Sequence, residues 1–454
     1  MIGLAAKLSR ATRNGLGPFF SLLKPSLLPP LKMAAPPPNR YFYANNSTFT
    51  ANPVALEMIS YAMSLARAQK TEDSYGRGRL VLDQCESTQP DDNSKGLVEL
   101  ARSTLLFERG SYEAAIERLE RIQDLSLPSV AIKVAASEAL VGLYLEHYQE
   151  DAASVVADIA LQILETHRLE IGNGSGFEVL EARVKALKGL VELICGNLDS
   201  AQSFFEGAQA DGCCIGNAAL SYGEFLHGMR KFSDAKELYQ KVIQGMSEIK
   251  DFGDPNNLGA CNMTSEEVVV AATCSLGQLE THMGNFADAE EMLTVTLKKT
   301  EDRFGAQHPK VGVILTCIAL MYRHKAAMEH SSSLLIQEGL YRRAIELLKA
   351  PPLEIDGSSE KVHRKDIIAL ARGGYAETLL VQQSRKAEGE KLKHWAENAW
   401  RNRWMITCRC TRVIRVFSQG ASHRCSNMQG CVVSCKFFKA IKMFLSWRIA
   451  RKDR

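Results

Sequence analysis

A short pattern of residue types recurs along the middle of this chain, and it restricts the possible folds more than any other feature. A helix breaker is followed two residues on by an aromatic residue or Leu, three further on by Ala, and four beyond that by a bulky residue. The clear copies are Gly110-Tyr112-Ala115-Leu119, Gly196-Leu198-Ala201-Phe205, Arg230-Phe232-Ala235-Tyr239, Gly284-Phe286-Ala289-Leu293 and Gly339-Tyr341-Ala344-Leu348. Gly ends a helix by entering the left-handed conformation at little cost. The aromatic then fills the space between two antiparallel helices, and Ala marks where their backbones come close. Ala and the later bulky residue are four apart and share a face of the second helix. Seven positions before the breaker, Gly189, Gly223 and Gly277 mark a matching close-contact point in the first helix.

These residues resemble the tetratricopeptide repeat, a helix pair that recurs every 34 residues. Leu198 to Phe232 is a spacing of 34, whereas Phe232 to Phe286 is 54, which leaves room for a loop of about 20 residues across Gly253, Pro255, Asn256, Asn257 and Gly259. Phe286 to Tyr341 is 55 and needs a longer unit. There, Gly305-Ala306-Gln307-His308-Pro309-Lys310-Val311 is similar to the inter-repeat linker of kinesin-light-chain-type repeats, whose unit is about 42 residues. The excess falls in 326–338, read as an elongated helix. Degenerate units extend the array, one around Leu65, Ala66, Tyr75, Gly78 and Leu82. Another covers Val130–Ile163 with Tyr148 at the aromatic position, and a last one covers Ile367–Glu397 with Ser384 there. The resemblance implies an all-α, right-handed superhelical α-solenoid of eight antiparallel helix pairs, placed over residues 46–400.

Such a solenoid is a scaffold, and the fold alone supplies no activity. The resemblance implies an inner surface lined by the first helices, with partner proteins or peptides held there. Glu224, His227, Gln278, His282, Arg323 and His324 fall at groove-facing positions in this register. The carboxylate clamp of chaperone-binding members needs fixed cations, and Ala186, Leu190, Leu193, Leu220 and Glu224 stand at the corresponding positions. That clamp is therefore not carried over. No phosphate loop, nucleophile elbow or His-Glu zinc helix is present, and no cofactor or catalytic residue is expected. Gly172-Asn173-Gly174-Ser175-Gly176 lacks the Lys of a phosphate loop and reads as a link between helices. His308 reads as part of the linker rather than as a base.

Charge divides the chain into three parts. Residues 1–56 hold six Lys and Arg and no acid, and residues 401–454 hold thirteen against Asp453 alone. With a total of +3, residues 57–400 carry −15. An acidic body argues against nucleic acid on the repeats, because phosphate contacts need clustered cations. The basic start, with Lys7, Arg10, Arg13 and Asn14 on one helical face and Leu4, Ala5, Leu8 and Leu16 opposite, has the composition of a transit peptide over residues 1–45. Arg40-Tyr41-Phe42-Tyr43-Ala44 resembles a mitochondrial processing site, so a mitochondrion is expected. A chloroplast is the alternative, or the cytoplasm if this segment does not target.

Pro18, Pro25, Pro29 and Pro30 interrupt the apolar stretch that a secretory signal would need, and no run of about 18 apolar residues predicts a membrane span. Twelve scattered Cys fit a reducing compartment. After Trp400 the helical period fades. Cys408, Cys410, His423, Cys425, Cys431 and Cys435 could be read as a zinc module, but the spacing lacks recurring Cys pairs and no metal is expected. The basic, aromatic-containing end could also bind lipid or RNA. The reading preferred for 401–454 is a tail without regular structure or evolved role, arising at an altered exon junction. The function expected from all this is a non-catalytic adaptor inside an organelle. An RNA-associated organellar repeat factor using the C-terminal tail is the alternative.

Overall fold

The computed structural model describes residues 52–125, 128–171, 176–209, 212–246, 252–355 and 364–401. The transit-peptide and tail expectations for 1–45 and 402–454 lie outside them. Sixteen α-helices and two short 3-10 turns make up the regular structure among the described residues. The helices are α1 (Pro53–Gln69), α2 (Glu72–Thr88), α3 (Asp92–Glu108), α4 (Tyr112–Asp124), α5 (Val130–Glu146), α6 (Glu150–Ile171), α7 (Phe177–Cys195) and α8 (Leu198–Gln209). They continue as α9 (Gly216–Gly228), α10 (Phe232–Met246), α11 (Ser265–Met283), α12 (Phe286–Phe304), α13 (Pro309–Met328), α14 (Leu334–Leu347), α15 (Lys365–Leu380) and α16 (Lys386–Arg401). Consecutive helices pack as eight antiparallel pairs, and the first helix of each pair also packs on the first helix of the next. This is a right-handed α-solenoid, and the three degenerate units are full helix pairs.

The recurring pattern has the physical basis expected of it. A Cβ at Gly189, Gly223 or Gly277 would lie 3.2, 2.8 or 2.9 Å from Phe205, Tyr239 or Leu293. In every case the neighbour is the residue sixteen later, so one close approach is repeated in three pairs. The turns repeat as well. Ser111 donates its backbone N–H to Leu106 O, and the same bond is made by Gln149 to Tyr144, Asn197 to Glu192, Lys231 to Leu226, Asn285 to Glu280 and Ser331 to Ala326. Each closes the first helix of its pair around one left-handed residue. That residue is Gly at 110, 196 and 284, and Tyr148, Arg230 or His330 elsewhere.

Two positions depart from the sequence reading. Gly339 lies inside α14 and ends nothing. The left-handed turn of its repeat is at His330, and the extra residues divide between the end of α13 and the first turns of α14. Tyr148 sits in the turn itself instead of filling its own helix pair. Its hydroxyl donates to Asp366 Oδ1 at 2.8 Å, across to the eighth repeat.

That long-range contact belongs to a seam that closes the solenoid on itself. Turns between the helices of repeats 1–3 meet the turns that join repeats 6, 7 and 8. Glu108, at the end of α3, is held by Arg67 of α1 at 2.8 Å and by Arg303 of α12 at 3.0 Å. Arg303 also reaches Glu267 at 3.3 Å, and Lys310 of α13 pairs with the same carboxylate. The Lys310 ammonium lies 4.4 and 4.7 Å from the ring centres of Phe107 and Phe304. Arg364 covers the ring of Tyr112 at 4.9 Å and lies 3.8 Å from Glu146.

The second helices show the amphipathic pattern of an outer layer. In α4, for example, Tyr112, Ala115, Leu119 and Ile122 are buried under a charged face. Apart from α1, the first helices are mostly buried, α9 and α15 most completely. α13 has 20 residues and is apolar enough to cross a membrane by length and composition alone, but most of it is buried among its neighbours here. At the C-terminal end, α16 buries Gly389, Leu392, Trp395 and Ala396 and exposes Lys386, Glu388, Glu390, Lys391 and His394. It forms a polar outer face on the eighth pair.

The seam generates a stability prediction. Replacing Arg303 with Met leaves Glu108 and Glu267 buried with one cation fewer and should cost about 3–5 kcal/mol. Adding Glu108→Gln should cost less than the sum of the two single changes, because the pair is coupled. Urea denaturation of the three variants reads both numbers, and simple additivity would mean that the seam contributes no coupling.

Candidate functional site

The inner face of repeats 2–4 is not open. The segment joining α10 to α11 was expected as a surface loop of about 20 residues, but it runs through the interior of the solenoid. Leu258, Ala260, Cys261 and Thr264 are fully buried, and Asn262 and Met263 nearly so. Arg183 of α7 holds it, donating to the carbonyl oxygens of Asn256 at 3.0 Å and Leu258 at 2.6 Å. The same guanidinium is fixed by Glu138 of α5, at 2.7 Å and 3.2 Å. Cys261 N–H donates to Thr104 Oγ1 at 3.0 Å, and the Asn262 amide to Glu146 at 3.1 Å. Gly142 makes room, since a Cβ there would lie 2.5 Å from Asn262.

This inner face therefore grips a stretch of polypeptide through its backbone, and the polypeptide is the chain's own. Beside it, Glu146, Asn262, Glu267 and Lys310 share a cavity of about 40 Å³ with Val313, Ile314 and Phe304. The space suits a water molecule or two, not a substrate. His308 stacks on Phe304 at 4.6 Å, and its Nδ1 accepts from Lys310 N–H at the start of α13. It caps a helix, with Pro309 at the first helical position.

The six residues at expected groove positions come together in repeats 5–7, but they do not line an open groove. Glu224, His227 and Gln278 are buried, and His282, Arg323 and His324 are partly buried. The reason is that α9, α11, α13 and α15 pack on one another, so side chains of the neighbouring first helix cover these positions. Their side chains form a polar ladder between helices instead. His227 Nε2 and His282 Nδ1 are 2.8 Å apart, and the rings of His282 and His324 are 6.4 Å apart, edge to face. The Gln278 amide reaches Cys274 and Cys317 Sγ at 3.4 and 3.5 Å. Arg323 pairs with Glu377 of α15 at 2.9 Å.

Sequence reasoning missed Arg183, Glu138, Thr104 and Asn262. Their types carry no spacing signal, because their partners are 45 to 157 positions away.

Burial sets the protonation state of the ladder. It pushes the His282 imidazole down to about 3, with further lowering from His324 and Arg230. Burial, and then His282, holds His227 well below its ordinary value. Burial and Arg323 lower His324. An unfolded His binds a proton near pH 6.5, so below that pH the unfolded chain takes up protons that the folded ladder refuses. Stability is fully present above about pH 6.5 and is lost as the pH falls toward the folded values. At pH 5.5 the penalty from His282 alone is about 1.4 kcal/mol. Thermal melts at pH 7.5 and 5.5 should show the parent chain losing more than a His282→Gln variant, and equal losses would contradict this account.

Comparison with known proteins agrees with the repeat architecture. Residues 269–310, which span α11, α12 and the turn into α13, match the tetratricopeptide repeat family. No curated protein matches the chain as a whole. Among solved structures, the crystal structure of the yeast Tom70 aligns with 82% of this chain and 96% of its own length, at 11% identity and a TM-score of 0.27. The sixth helix pair is thus similar to a tetratricopeptide repeat, and it shares its turn bond with five other pairs of the solenoid.

Proposed function

We propose that this protein is a non-catalytic adaptor that binds partner proteins within an organelle, the mitochondrion being favoured. The observation that carries this reading is the internal segment. An inner surface that holds residues 256–261 by their backbone through Arg183 and Thr104 recognises polypeptide backbone, which is what a repeat scaffold has to do for a partner. The repeat match supports the same class, and its length of 42 residues supports the kinesin-light-chain-type unit. The acid-free composition of residues 1–45 supports import.

Self-occupation changes how the scaffold would work. A partner does not thread an empty lumen, because the buried residues 258–264 would have to leave first. Surfaces away from the inner face of repeats 2–4 are the accessible ones.

Proximity labelling with the full-length chain fused to a labelling enzyme, paired with imaging of the same fusion, tests the reading. The expected result is mitochondrial signal and a small, reproducible set of labelled matrix proteins. Cytosolic signal on motor or cytoskeletal proteins would overturn the compartment, and uniform labelling without an enriched set would overturn the adaptor.

A further inference from the structure

The first helices form a row in which α3, α5, α7, α9, α11 and α13 each pack between two others. α1 stands at the start of that row, with α3 on one side. Five of its seventeen residues are buried, against thirteen of seventeen in α3, so one long side of α1 stays open. Arg67 reaches Glu108 of α3, and Ala62 and Ala66 meet Gly78 of α2, which fixes the two covered sides. At about 100° per residue, Val54, Met58, Tyr61, Leu65 and Ala68 share an arc of about 80° on the side away from Arg67 and α3. Val54 and Tyr61 are 53 and 59% exposed, Ala68 is exposed, and Met58 and Leu65 are partly buried. Successive members are three or four apart on one helix, so the stripe is continuous.

Charge restricts what can lie on this stripe. From Asn52 to Ala66 the chain holds Glu57 as its one charge, beside the small residues Ser60 and Ser64. Residues 57–400 carry −15, so two copies repel over most of their surfaces and can touch only where that charge is missing. The opposite end of the solenoid differs, since α16 exposes Lys386, Glu388, Glu390 and Lys391. That charged face does not match an apolar stripe, so copies do not add head to tail.

We propose that the α1 stripe is the contact surface of a two-fold dimer, in which α1 of a second copy packs antiparallel on it. The four larger residues, Val54, Met58, Tyr61 and Leu65, are spaced 4, 3 and 4, an order that reads the same from either end. A two-fold axis at the midpoint sets Val54 against Leu65 of the second copy and Met58 against Tyr61, each pair occurring twice. A thioether beside an aromatic ring is a favourable contact. Glu57 falls at the margin of the arc, where it stays in water. The second α1 takes the place that a preceding first helix would hold, so the interface continues the packing that α1 already makes with α3.

One helix per copy buries less than the roughly 800 Å² per partner of a standard interface, so the dimer is weak, with a Kd of about 10–100 µM. Pairing of this kind presents every other surface of the solenoid twice. A bivalent partner is then held by avidity, without any new contact.

Sedimentation equilibrium of the full-length chain over about 1–300 µM should show a reversible equilibrium between monomer and dimer, with nothing larger. Tyr61→Asp and Val54→Asp should each weaken the dimer at least about tenfold. Val155→Asp adds the same charge to α6, at a residue 58% exposed, and should leave the dimer unchanged. Both target residues are more than half exposed, and circular dichroism with thermal melts checks that the variants fold as the parent does. A photoreactive benzoylphenylalanine in place of Tyr61 identifies the occupant. In a mixture of isotopically light and heavy chains, the expected product joins α1 of one copy to α1 of another. A chain that stays monomeric, a dimer indifferent to Tyr61→Asp, or a photoproduct with residues 1–51 or with α16 would each overturn the proposal. The adaptor reading stands apart from it, since a partner set found by proximity labelling does not depend on whether the chain pairs.

Discussion

Everything in this molecule depends on how closely the two helices of a pair can approach. Gly189, Gly223 and Gly277 allow Phe205, Tyr239 and Leu293 to press on the helix backbone, and a larger residue there would have to displace those side chains. Repetition of that approach fixes a similar tilt in each pair. Small tilts add along a solenoid, because each repeat is placed by its neighbour. After five repeats the accumulated curvature brings the turns of repeats 6–8 onto the edge of repeats 1–3, and the array meets itself.

A meeting of surfaces buried this deeply could have been wholly apolar, but the chain uses charge. Glu108, Glu267, Arg303 and Lys310 are nearly or mostly withdrawn from water and offset that cost by pairing with one another and with Arg67 and Glu266. The aromatic rings of Phe107 and Phe304 add a surface on which Lys310 can rest without water. Such contacts tolerate one register alone, because a slip of one helical turn would leave a buried ion without its partner. The seam therefore defines where one part of the superhelix lies on the other more sharply than a greasy contact could.

What was legible in the sequence follows from the range of each constraint. The helix pairs, their number, the glycine contacts and most of the turns depend on residues within about one repeat of each other, so they leave a period that can be read. Gly339 was misread because breaker, aromatic and Ala are spaced correctly there, while the three serines after His330 had already made the turn. The closure, the internal segment and the burial of the six groove positions arise from curvature summed over five repeats. Arg183 and Leu258, or Glu108 and Arg303, share no local pattern, and each residue taken alone is an ordinary surface type.

The buried histidines show how that summed geometry changes the meaning of a side chain. On an open groove His227 and His282 would be solvated hydrogen-bonding groups ready for a ligand. Between α9 and α11 they exchange one hydrogen bond at 2.8 Å and exclude the charged state, so they join two repeats instead. The contact demands one spacing and one rotation between those helices, and it needs the second imidazole as much as the first.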